Sequence, residues 1–153
     1  MPTTELFVSL KVPDNTSITA FHTLERMGYN KLKKVERQNY YKFEFSGNIK
    51  DFQNKISKVD ALVNANKHKY SFDLEKNKEN YEKINILVQN SDDEKDLLLI
   101  LKNRLGFKNI KKAEKGVLWS LSIDADEKEA ENIAIEITKN LLMNENYQKF
   151  KVV

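Results

Sequence analysis

The chain repeats itself. Displaced by 78 positions, residues 6–74 fall on residues 84–152 without a gap, and such self-similarity sets how many modules the fold contains before any element is assigned. The landmarks coincide: Asp14 with Asp92, Arg26 with Arg104, Gly28 with Gly106, Lys33-Lys34 with Lys111-Lys112, and Glu36 with Glu114. Lys50 and Lys128, Asn54 and Asn132, Asn66 and Asn144, and Phe72 and Phe150 follow. The chain holds 23 lysines and 17 asparagines, so identities among those two residues weigh little, and the hydrophobic phase weighs more. Leu32/Ile110, Val35/Ala113, Phe43/Leu121, Phe45/Ile123, Val59/Ile137 and Leu74/Val152 all keep apolar character. A length of 153 residues, which alone suggests one domain, is thereby divided into a unit at 1–75, a polar linker at 76–83 and a unit at 84–153.

Each unit reads in the same order. Leu6–Val12 and Ile84–Val88 are β-rich runs, each followed by an aspartate (Asp14, Asp92) of the kind that caps a helix N-terminus. In the helix after Asp14, Ile18, Phe21, Leu24 and Met27 are expected to form the inward stripe. Leu97–Leu105 is the matching helix. Gly28 and Gly106 stop these helices as left-handed caps, with an aromatic, Tyr29 or Phe107, packed behind. Alternating strands follow, through Tyr41, Phe43 and Phe45 and through Leu118–Ile123. Gln38-Asn39 and Lys115-Gly116 interrupt them, either as a tight turn between two strands or as a bend in one long strand. The second helices span roughly 48–65, with Phe52, Ile56, Val59 and Val63 inward, and 126–143, with Ala130, Ile133, Ile137 and Leu141 inward. Asn66 and Asn144 close them, and His68–Leu74 and Asn146–Val153 are the last strands.

The expected class is therefore α+β: two tandem ferredoxin-like β-α-β-β-α-β units, each an antiparallel sheet with two helices on one face, packed as a pseudo-two-fold dimer. Apolar positions on both sheet faces suggest that the second face is covered as well, by the other unit or by a partner.

Few residues could carry chemistry. There is no cysteine, which excludes disulfides, thiolate metal sites and a thiol nucleophile. The two histidines, His22 and His68, lie in a helix and a strand and form no metal-ligand spacing. Asp124, Asp126, Glu127, Glu129 and Glu131 gather at a helix start, where they complement the helix dipole. Glycines 28, 47, 106 and 116 are scattered singly, so no phosphate loop exists. The net charge of +3 is spread along the chain, and the aromatic strand Tyr40–Phe45 lacks the glycines of an RNA-recognition strand. No apolar run approaches membrane-spanning length, and no signal peptide is read at the N-terminus, so a cytoplasmic protein is expected.

Three segments carry a resemblance: Phe7-Val8-Ser9-Leu10-Lys11, the stretch Leu24–Val35 around Gly28-Tyr29, and Leu141–Val152. Together they resemble the opening strand, the middle and the C-terminal signature of the PurS family, the small subunit of phosphoribosylformylglycinamidine (FGAM) synthase, here twice in one chain. The resemblance implies a subunit with no active site of its own. It would bridge a glutaminase subunit and an ATP-using synthetase subunit, so that ammonia passes between them in purine biosynthesis. It also implies no cofactor on this chain, since ATP, magnesium and glutamine belong to the partners. The family's Arg-x-Gly-Lys turn aligns with Glu36–Asn39 and Glu114–Val117 and is incomplete in both. Arg37, Gln38, Asn39, Lys115 and Gly116 are the expected partner-interface residues. A tandem ferredoxin-like module that senses an amino acid is the competing reading, although neither first loop, Val12–Thr16 or Asn90–Glu94, has the glycine such sites use.

Overall fold

The computed structural model describes residues 1–77, 80–90 and 93–153; linker positions 78 and 79 and the cap expected at Asp92 lie outside them. Among the described residues the chain is α+β, with six antiparallel strands and four helices. In order these are β1 (Thr3–Leu10), α1 (Asn15–Arg26), β2 (Leu32–Phe45), α2 (Ile49–Ile56), β3 (His68–Ser71), β4 (Glu82–Asn90), α3 (Asp93–Leu99), β5 (Ile110–Ile123), α4 (Glu127–Ile137) and β6 (Gln148–Val152). A π-helical turn extends α3 over Ile100–Arg104, and another extends α4 over Thr138–Leu142.

The expected four-strand pattern of each half is corrected to β-α-β-α-β. Leu32–Phe45 and Ile110–Ile123 are single strands of 14 residues. Neither Gln38-Asn39 nor Lys115-Gly116 turns, and Gly116 has no positive φ, so the backbone stays extended through both interruptions.

The compact units do not coincide with the sequence halves. One comprises Met1–Val12, Asn39–Leu74 and Ser91–Gly116, and the other Pro13–Gln38, Glu75–Asn90 and Val117–Val153. The long strands explain this: β2 and β5 each give one half to each unit.

In the first unit the strand order is β3-β1-β2-β5. Its core joins Leu6 and Val8 of β1, Phe43 and Phe45 of β2, and Ile110 and Ala113 of β5 to Phe52 and Ile56 of α2 and Leu97 of α3. Phe45 stacks on Phe52 at 4.0 Å between ring centroids and an interplanar angle of 8°. Such a pair adds about 1 kcal/mol beyond the area it buries. The aromatics at 41, 43 and 45 thus belong to the core side and are not displayed for stacking on bases.

In the second unit the order is β2-β5-β4-β6. Leu24 of α1 and Ala130, Ala134 and Ile137 of α4 pack on Leu32, Val35, Ile84, Ile86, Val88, Trp119, Leu121 and Ile123. The inward line of α1 runs through Ser17 and Leu24, with Ala20 and Phe21 partly buried, whereas Ile18 and Met27 are 44% and 49% exposed. At about 100° per residue, Ser17 lies within about 20° of Leu24 around the helix, while Ile18 lies about 120° away. A three-residue spacing cannot stay on one face over three turns. In α4, Ala130 and Ile137 are inward as expected, but Leu141 is exposed and Leu142 buried, because the π-helical turn adds a residue and shifts the phase.

The register shows how the halves correspond. Val8 lies opposite Asn39 and Tyr70; Val88 lies opposite Val117 and Phe150. β2 and β5 therefore match at the displacement of 78, while β1 with β4 and β3 with β6 match at 80. Tyr70, not Phe72, is the counterpart of Phe150, and Asn64, not Asn66, that of Asn144. Asn64 and Asn144 each accept two backbone N–H groups at the helix exit, from Lys67 and His68 and from Tyr147 and Gln148.

The sheet face turned away from the helices is buried at Phe7, Tyr40, Leu87 and Leu118, between 1% and 5% exposed. These residues are covered within the chain itself. Among the described residues no helix is long and apolar enough to cross a membrane.

Candidate functional site

The helix caps come first because they fix the loops. Asp14 caps α1, its Oδ1 accepting the Thr16 N–H at 2.9 Å. Asp126 caps α4 by accepting the Glu129 N–H at 2.8 Å, with Glu127 and Glu129 in the first turn, so the acidic cluster is a helix start as expected. Gly28 and Gly106 hold φ of +100° and +73°, the left-handed region a side chain rarely adopts, and end their helices as expected. Tyr29 and Phe107 then turn back into the cores.

The five expected interface residues lie at the middle of the two long strands, where each strand passes from one unit to the other. Arg37 and Gln38 are in the second unit, and Asn39, Lys115 and Gly116 in the first. Asn39 is exposed; the other four are half-buried. The Arg37 guanidinium is engaged inside its own unit. Its Nε donates to Asp14 Oδ2 at 3.0 Å, and a terminal nitrogen donates to Asp14 Oδ1 at 3.3 Å. Its central carbon also stands 5.9 Å from the centre of the Trp119 ring. This fork ties the start of α1 to β2 and roofs the indole.

On the helix-free face of the first unit, Phe7 and Tyr40 pack at 5.6 Å, and the Tyr40 hydroxyl donates to Glu5 Oε2 at 2.7 Å. Burial, and then the Glu5 carboxylate that accepts its proton, hold this phenol well above the usual tyrosine range. Beside it a small cavity of about 120 Å³ is lined by Thr3, Lys42, Glu44, Lys112 and Glu114. Lys112 pairs with Glu114 at 3.3 Å, so its charges are partly spent on each other.

A larger feature went unread in the sequence. In the first unit an open groove of about 700 Å³ runs between the end of α2 and the Gly106 loop, lined by Lys55, Lys58, Val59, Asp60, Ala61, Leu105, Gly106, Phe107 and Asn109. The corresponding place in the second unit is bridged. The Tyr29 hydroxyl donates to Glu136 Oε1 at 3.1 Å and accepts from Asn140 Nδ2 at 2.9 Å, and the Lys31 ammonium pairs with Glu129. The signal was present in the repeat, as Phe107 where the other copy has Tyr29 and Lys58 where it has Glu136.

Neither histidine is placed for catalysis. His22 is exposed, 4.0 Å from Glu25, and His68 Nδ1 accepts the Asn64 N–H at 3.0 Å. Among the described residues no group of three or more His, Cys, Asp or Glu is placed to hold a metal ion. No family model matches the chain, and no curated protein matches it.

Proposed function

We propose that this chain is a bridging subunit of an FGAM synthase complex in purine biosynthesis. In this reading it has no active site and holds a glutaminase against an ATP-using synthetase in the cytoplasm. One observation carries the reading beyond the sequence resemblance. The two halves repeat the same strand register, the same glycine caps and the same asparagine turn, so one chain supplies two copies of one module. In this reading the two copies serve as a built-in pseudo-two-fold pair, with a surface for one partner on each. The segments that resemble PurS fall on β1, the Gly28 cap, and the turn and strand that end in β6.

Co-expression of the tagged chain with the glutaminase and synthetase subunits of the same organism tests this. The expected result is a ternary complex that forms the amidine with glutamine as nitrogen source, while synthetase alone needs free ammonia. A chain that recruits neither subunit, and that binds an amino acid by calorimetry, would overturn the reading in favour of a ligand sensor.

A further inference from the structure

We infer that the groove between α2 and the Gly106 loop is a docking cradle for an acidic segment of a partner protein, anchored by an aliphatic side chain. This names a surface for the bridging role proposed above and to that extent rests on it.

The internal repeat supplies the comparison. In the second unit the equivalent place is closed by the chain's own residues: a phenol hydroxyl and an ammonium reach across to two carboxylates. In the first unit three of these four groups are replaced, while Asp51 stands for Glu129 and keeps the carboxylate. Phe107 stands for Tyr29 and brings no hydroxyl. Asn109 stands for Lys31, and its amide is committed to the Ser46 carbonyl at 2.8 Å. Lys58 stands for Glu136, which reverses the charge. α2 is also shorter than α4, 8 residues against 11, and lacks the π-helical extension. The groove is thus left open, with the Lys58 ammonium where the second unit has the bridging carboxylate of Glu136.

Its chemistry selects the occupant. Lys55 and Lys58 lie three residues apart and are both exposed, and neither forms an ion pair among the described residues. Leu105 is 42% exposed, and Ala61 is exposed beside it. The lining holds two ammonium groups against the one carboxylate of Asp60, and this net positive charge above an apolar floor matches a segment that presents carboxylates next to a leucine or similar side chain. A nucleic acid would satisfy the lysines but gain nothing from the floor, because Phe107 is only 9% exposed and offers no face for base stacking.

The test is amide chemical-shift mapping of the full chain with a short designed peptide of alternating glutamate and leucine. Its controls are the same peptide with lysine for glutamate, and oligothymidylate. Saturable shifts confined to Ala61, Leu105, Gly106, Phe107 and Asn109 are expected. Affinity should fall about tenfold or more in the double variant Lys55→Glu, Lys58→Glu. It should also fall in Leu105→Asp; both are surface changes whose fold is checked by circular dichroism. Shifts elsewhere, an unchanged affinity in the charge-reversed variant, or equal binding of oligothymidylate would overturn the inference. The outcomes separate from those of the bridging reading. If both subunits assemble on the double variant as on the wild type and the peptide leaves the groove amides unmoved, the cradle is wrong and the bridge stands. If the peptide binds as expected and neither subunit is recruited, the cradle stands and the bridge is wrong.

Discussion

His68 and Gln148 fill the same place in two turns with different chemistry. Nδ1 of His68 accepts the Asn64 N–H at 3.0 Å, and Oε1 of Gln148 accepts the Asn144 N–H at 2.8 Å. Around them everything else repeats. Each asparagine folds its Oδ1 onto the N–H two residues ahead at 3.0 Å, and its carbonyl accepts the N–H four residues ahead at 2.8 Å. What the turn requires is an acceptor at one distance, not an imidazole. His68→Gln is therefore expected to be neutral within about 0.5 kcal/mol, while His68→Ala leaves the Asn64 N–H without its partner and costs about 1 kcal/mol. Urea unfolding of the two variants checks this, and equal losses in both would show that the imidazole has a role of its own.

Asp14 serves two donors at once, the α1 backbone and Arg37. Asp14→Ala removes an N-cap, about 1 kcal/mol, and strands the guanidinium over Trp119. The Asp14 and Arg37 side chains are only 15% and 29% exposed, so their pairing is worth more than a surface ion pair. A double-mutant cycle with Asp14→Ala and Arg37→Ala should give a coupling of about 1–2 kcal/mol. Arg37→Lys should lose most of it, since an ammonium cannot reproduce the fork. A coupling below about 0.3 kcal/mol would mean that the contact does not hold α1 to β2.

Tyr40 links stability to alkaline pH. Its phenol is held above the ordinary tyrosine value of about 10 by burial and by the Glu5 carboxylate. Above that value the unfolded chain releases this proton while the folded chain retains it. The neutral phenol's contribution is complete below about pH 10 and is lost as pH rises, at up to about 1.4 kcal/mol per pH unit. Denaturant titrations at pH 8, 10 and 11 should show a shallower alkaline decline in Tyr40→Phe than in the wild type. Tyr40→Phe should also be destabilised by about 1 kcal/mol at pH 8, through loss of the Glu5 hydrogen bond. Parallel curves for the two proteins would show that Tyr40 ionises alike in both states.

Much of the fold could be read from the chain because its cues are local. Gly28 and Gly106 stop helices by backbone chirality, Asp14 and Asp126 cap by reach, and alternation marks the strands. The displacement of the outer strands could not be read. A slip of two residues leaves every side chain of a strand on the same face, so a displacement of 78 and one of 80 give the same hydrophobic phase in β1 and β3. Nor does any residue of α1 say which sheet it will cover. Leu24 and Phe21 suit either core, and the choice follows from β2 continuing straight through Gln38-Asn39, which carries its two halves into different units. The groove at Lys58 was hidden for a further reason. Its meaning lies in a difference between two copies, whereas a repeat is recognised by what its copies share.

The phase shift at the end of α4 makes a sharp test of that geometry. An α-helix continued from Ala130, Ala134 and Ile137 brings residue 141 inward on the next turn, and sequence periodicity alone selects it. The structure places Leu141 38% exposed and Leu142 9% exposed, with the Met143 N–H donating to the Thr138 carbonyl five residues back and the Thr138 hydroxyl donating to Ala134 at 2.8 Å. Truncating the buried leucine removes core contacts and opens a cavity, so Leu142→Ala should cost about 2–3 kcal/mol. Leu141→Ala, one residue away and identical in composition, should cost less than about 1 kcal/mol. Thermal or urea unfolding of the pair reads the difference directly. A larger loss at Leu141 would mean that the helix runs on as a regular α-helix, and that the asparagine turn of the second half enters β6 one residue out of step with the turn at Asn64.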